Sequence, residues 1–128
     1  MENGKLKMNG LQKENTIQKK SYEFAILTVN FCRELMQNRE FVLGKQLLKA
    51  GTSIGANVEE AQQAQSKNDF ISKMSIALKE AYESRYWLRL VRDTAKQPVP
   101  NIEMLLQGIE EIIRLLVAIV KSSRVTAE

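Results

Sequence analysis

The chain has no histidine, and that absence removes whole classes of chemistry. Ser-His-Asp and Cys-His catalysis, His-ligated zinc and the Glu-x-x-His motifs of di-iron bundles all need an imidazole. Cysteine is nearly absent as well. Cys32 is the single thiol, so no internal disulfide can hold the fold, which fits a reducing cytoplasm. Cys32 is predicted to be a small buried apolar residue. Six Gly and two Pro are few for a turn-rich all-β chain, and helices are the expectation. Long hydrophobic runs are missing too. The strongest, Ile112 to Val120, is interrupted by Arg114, while residues 1–20 are polar and lysine-rich. Neither a membrane span nor a secretory leader is predicted, and the expected location is cytoplasmic.

What is present is one domain's worth of chain: 128 residues, 44% apolar and 27% charged. The length suffices for one sizeable core. A net charge of +4 permits polyanionic partners without requiring them.

Apolar residues recur at helical spacing in four segments. Residues 1–14 lack that period, carry Lys5, Lys7 and Lys13, and read as a flexible basic tail. A first helix follows from about Thr16 to Met36, its stripe formed by Ile17, Phe24, Leu27, Phe31 and Leu35. The second runs from about Phe41 to Gln65 on Leu47, Leu48, Gly51, Ile54, Gly55, Val58 and Ala61. A helix-interior glycine costs about 1 kcal/mol relative to alanine, so Gly51 and Gly55 mark a close approach of another helix. A phosphate loop would need a final Gly-Lys-Ser/Thr, and a membrane GxxxG an apolar span; both are missing. Ser66 to Asp69 has the Ser-x-x-Asp form that starts a helix. The third helix therefore reaches about Ala95, with Phe70, Met74, Ala77, Ala81, Leu88 and Val91 inward. Pro98 and Pro100 make a turn, with Asn101 as N-cap. The fourth helix runs to about Ser123 on Ile102, Leu105, Leu106, Ile109, Ile112, Ile113, Leu116 and Val120. Leu115, Val117, Ala118 and Ile119 widen its stripe beyond one core's needs, which suggests a subunit interface, the alternative being an unusually buried helix in a monomer. Short loops favour antiparallel neighbours, so the expected fold is all-α, an up-down-up-down four-helix bundle over residues 15–124 with a C-terminal tail at 125–128.

Two side-chain groups could carry function. Glu80 and Glu83 lie one turn apart among Ile76, Trp87 and Leu90. They could act as acid and base, or bind metal with Glu59, Glu60, Glu110 and Glu111. Alternatively Asn57, Glu60, Lys79, Glu80 and Glu83 form a structural polar network that fixes helix register. The second group is a basic stripe. Arg85, Arg89, Arg92 and Lys96 are spaced four, three and four residues apart on one helix face, with Tyr82 and Tyr86 alongside and Asp93 in reach of Arg89. Arginine interleaved with tyrosine suits phosphate contacts plus stacking on unpaired bases. The competing reading is a solvated face, or a seam salt-bridged to Glu103 and Glu110 of the fourth helix.

Residues 46–88, QLLKAGTSIGANVEEAQQAQSKNDFISKMSIALKEAYESRYWL, closely resemble the small proteins first described as encoded by intervening sequences in 23S ribosomal RNA genes, some of which carry an S23 ribosomal protein label. KSYEFA at residues 20–25 is similar to that family's first helix. The resemblance implies a four-helix bundle, a homopentameric ring, and architectural kinship with accessory proteins of diversity-generating retroelements. Those accessory proteins bind nucleic acid and a reverse transcriptase through a basic surface. Asn57, Glu59, Glu60, Lys79, Glu80, Glu83, Tyr86 and Trp87 match the family motif as structural or interface positions. The arginine stripe comes from this sequence alone. The expected function is a non-enzymatic, oligomeric scaffold binding RNA or DNA, the alternative a protein-interaction adaptor; no catalytic residue, metal or cofactor is assigned, and no membrane partner.

Overall fold

The computed structural model describes residues 2–127, with side-chain surroundings described for residues 16–126. Its helices are α1, Glu2–Gln37; α2, Phe41–Ala61; α3, Lys67–Thr94; and α4, Ile102–Ala127. Each packs on its sequence neighbour and α4 closes on α1, while the backbones of the diagonal pairs stay apart. This is an antiparallel up-down-up-down four-helix bundle. The tails expected at 1–14 and 125–128 fall largely outside the residues whose side chains are described. Helical backbone runs from Glu2 in α1 and through Ala127 in α4.

Local chemistry sets the breaks. Arg39 takes a left-handed conformation, φ 65°, its N–H donates to the Met36 carbonyl, and that of Glu40 donates to the Leu35 carbonyl at 2.8 Å. That pair of bonds is a Schellman motif and ends α1. α2 stops four residues short of its predicted end. Gln62, Gln63 and Ala64 switch to bonds reaching back only three residues, the tightened geometry common at helix ends. At α3 the predicted cap forms: Ser66 Oγ accepts from the Asp69 N–H at 3.0 Å, and Asp69 Oδ2 accepts from the Gln65 N–H at 3.3 Å. Asn101 stands in the expected N-cap position, its carbonyl accepting from the Leu105 N–H at 3.2 Å, without a side-chain cap bond among the described residues. It sits at φ 69°, a left-handed turn residue that asparagine tolerates.

The predicted stripes of α1 and α4 meet α2 and α3 in one continuous core. Every inward position named for α4 is buried; Leu27, Leu48 and Phe70 are only partly so. Each fully buried Leu, Ile or Phe contributes about 1.5–3 kcal/mol. The extra apolar width of α4 is mostly consumed within the bundle itself. Ile119 is buried and Leu115 packs against the core, whereas Val117 remains exposed. A helix between two neighbours covers a broad arc, so a wide stripe need not face outward.

The glycine waist lies between α1 and α2. A Cβ on Gly51 would stand 2.7 Å from Thr28 Cγ2, whereas one on Gly55 would stand 3.4 Å from the Ser21 carbonyl oxygen. Gly51 is therefore the tight point.

Candidate nucleic-acid interface

The register that buries Met74, Ala77, Ala81, Leu88 and Val91 divides the rest of α3 into two flanks. The basic stripe lies on the flank facing α4. Arg85 Nη1 donates to Glu110 Oε1 at 2.9 Å, and the Arg85 guanidinium stacks 5.1 Å from the Tyr82 ring centroid, a cation–π distance. Arg92 grips its neighbour Asp93 through two bonds, 2.7 and 3.2 Å. That grip, with a smaller pull from Arg89, holds the Asp93 carboxyl below the usual range. Asp93 thus belongs to Arg92, not to Arg89 as its spacing suggested. Arg89 and Lys96 are exposed, and neither has an ion pair among the described residues.

Tyr82 and Tyr86 are 43% and 53% exposed, and at i and i+4 they lie one turn apart on the outer face of α3, so both rings could receive a base. Tyr86 meets Trp87 edge to face, centroids 5.1 Å apart, and the Trp87 indole N–H donates to Glu83 at 3.4 Å. Glu80, on the Glu83 side of α3, faces α2, where Lys49 acts on it.

The expected polar network is only partly assembled there. Asn57 donates to the Ser53 carbonyl one turn back, at 2.8 Å. Glu60 pairs with Lys73 at 3.1 Å, a cross-helix link the sequence reading missed. Glu80 is half-buried. Burial, and then the neighbouring Glu83 carboxylate, push its pKa upward against the opposing pull of Lys79 and Lys49. Asn57 and Glu80 make no hydrogen bond to each other among the described residues. The acids considered as metal ligands are dispersed: Glu110 goes to Arg85 and Glu111 to Lys20. Among the described residues no three Asp, Glu or Cys side chains gather as a metal site would need. Cys32 is buried and its thiol is pushed up to about 11, the protonated, unreactive form.

Charge along α4 is uneven. Glu103, Glu110 and Glu111 occupy the first half of α4, whereas residues 112–126 hold Arg114, Lys121 and Arg124 and no acid. This split complements the helix dipole. It neutralises the stripe near Arg85 and leaves cations free where α4 ends. The sequence reading noted Arg114 only as a break in the apolar run and gave Lys121 and Arg124 no role, although the acid-free run was a visible signal. Elsewhere, a cleft of about 630 Å³ at the loop end is lined by Leu35, Leu43, Val91, Lys96 and Val99, among others. No helix among the described residues is long and apolar enough to cross a membrane.

Comparison with known proteins places this geometry in a family. In a crystal structure at 1.70 Å, a protein of unknown function from the S23 ribosomal protein family of Bacteroides thetaiotaomicron is similar at TM-score 0.80 and 46% identity, over 85% of this chain and 98% of that one. No curated protein matches the chain. The model of one family, described as 23S rRNA-intervening sequence protein, matches residues 13–118, spanning the glycine waist, the capped start of α3 and the basic stripe. The chain therefore belongs to the 23S rRNA-intervening sequence protein family.

Proposed function

We propose that the protein is a non-enzymatic, self-associating scaffold of the cytoplasm that binds RNA along the α3–α4 face. The observation that carries this reading is the surface left after internal pairing: Arg89 on α3 and Lys96 just past its end, unpaired among the described residues, on the side of the helix that also exposes the Tyr82 and Tyr86 rings. Cations supply phosphate attraction, and an exposed aromatic ring supplies a stacking platform for an unpaired base. Tyr86, one turn from both Tyr82 and Arg89, offers a second platform on the same face. Self-association, with a ring of five as the form its family resemblance implies, would repeat a two-cation site several times and raise avidity.

Two measurements test it. Light scattering at micromolar concentration is expected to give a mass several times 14.6 kDa. Fluorescence anisotropy with a single-stranded oligouridine is expected to show saturable, salt-sensitive binding, the logarithm of affinity falling by roughly 0.7 per neutralised phosphate against the logarithm of salt. Arg89→Gln with Lys96→Gln should weaken binding and make that slope shallower. Unchanged affinity and slope in a folded double variant would remove the RNA reading.

One observation favours a protein-interaction adaptor instead. Arg85 and Arg92, half of the stripe, are already held by Glu110 and Asp93. If no saturable RNA complex forms at moderate salt, the adaptor reading takes its place.

A further inference from the structure

At the end of the seam where α3 begins and α4 finishes, the helices leave a groove of about 310 Å³ lined by Leu78, Val117, Val120, Lys121, Arg124 and Val125. Its walls are aliphatic. Val117 and Val125 are 40% and 69% exposed, an arrangement that invites cover rather than water. Among the described residues the only charged groups lining it are cations. Lys121 and Arg124 are three residues apart and so share one edge of α4, and neither has an ion pair among the described residues. No acid of α4 competes for them from residue 112 to 126, and over residues 67–79 of α3 the only acid is Asp69. Asp69 is committed to the cap at Gln65.

We propose that this groove docks an acidic amphipathic helix of a partner protein, its apolar side chains on Leu78, Val117 and Val125 and its carboxylates on Lys121 and Arg124. Charge complementarity selects the occupant. A helix carrying acids one turn apart matches two cations one turn apart, while leucine-sized groups between them fill the aliphatic walls. A nucleic-acid strand meets the cations equally well, but its sugars and phosphates have nothing to place on valine, and no aromatic ring lines the groove to stack a base. Leu78 and Val117 lie within the matched residues and Lys121, Arg124 and Val125 beyond residue 118, where the family match ends; the site does not rest on the RNA reading.

The test uses the full chain and a fluorescein-labelled helical peptide with leucines at i and i+4 flanked by glutamates, beside a twin with every glutamate replaced by glutamine. The glutamate peptide is expected to bind saturably and the twin at least about tenfold more weakly, charged groups supplying much of the specificity. Val117→Ser with Val125→Ser should weaken the peptide by about tenfold or more through lost apolar contact, leaving oligouridine binding and light-scattering mass unchanged. Both are surface positions, and circular dichroism melts of the variants should match the parent. Lys121→Gln with Arg124→Gln should equalise the two peptides. Absence of saturable binding, equal binding of the twin by the parent, or indifference to the serine pair overturns the proposal. Equal loss of oligouridine would make nucleic acid the occupant, and a fall in oligomeric mass a second copy of the chain; either result also overturns it. Failure of oligouridine to bind any form would strike the RNA reading alone.

Discussion

At the scale of single residues, the glycines separate what spacing reveals from what only a partner can decide. Three-and-four periodicity located Gly51 and Gly55 on the inner face of α2, but which was tighter depended on α1, which sets the Thr28 methyl against one and the Ser21 backbone against the other. Gly51→Ala should lose about 1–2 kcal/mol, overpacking outweighing the gain in helix propensity. Gly55→Ala should melt at or above the parent temperature. Adding Thr28→Ala to Gly51→Ala should recover most of the loss in a double-mutant cycle by urea denaturation. Glu80 makes a different prediction. Its carboxyl is pushed upward, so the folded protein holds that proton more tightly than the unfolded chain. The stability it contributes is present below the ordinary glutamate value and is lost as pH rises through the elevated one. Glu80→Gln should therefore be more stable than the parent at neutral pH and flatten stability against pH across that window.

At the scale of elements, the clearest signals were those written within a few residues. Ser66 and Asp69 announced the start of α3, and the bond from Asp69 to Ser66 is present. Ser66→Ala should cost about 1 kcal/mol in thermal or urea unfolding, with Ser66→Asp close to the parent. Less legible was anything that depended on a second helix. Spacing placed Arg85, Arg89, Arg92 and Lys96 on one face and offered Glu103 and Glu110 as partners across the seam, but only the packing shows that Glu110 goes to Arg85. The same gap explains the partial network around Glu80. Asn57 sits near the seam, yet its amide finds a carbonyl on its own helix first, because a partner one turn away needs no cross-helix alignment.

For the whole molecule, the pairing of α3 with α4 sets how much positive charge reaches the surface. Glu110 holds Arg85 at 2.9 Å, so Arg85→Gln should reduce oligouridine affinity less than Arg89→Gln does. Glu110→Gln should raise that affinity, because it removes an acid and frees a guanidinium stacked on Tyr82. Anisotropy titrations of these single variants rank the cations directly. The fold was legible at this scale because short connections leave few ways to arrange antiparallel helices. The free cations were not, since the surface charge is what remains after neighbours have cancelled.

Cys32 gives the molecule an internal clock. The chain has one thiol, it lies in the core between helices with its proton firmly held, and a disulfide reagent can reach it only when the bundle opens. The rate of labelling in native buffer then follows the population of open molecules, wherever closing outpaces reaction. Any substitution that loosens the α1–α2 waist should quicken that clock by about tenfold for each 1.4 kcal/mol removed, without denaturant and with no added probe in the structure.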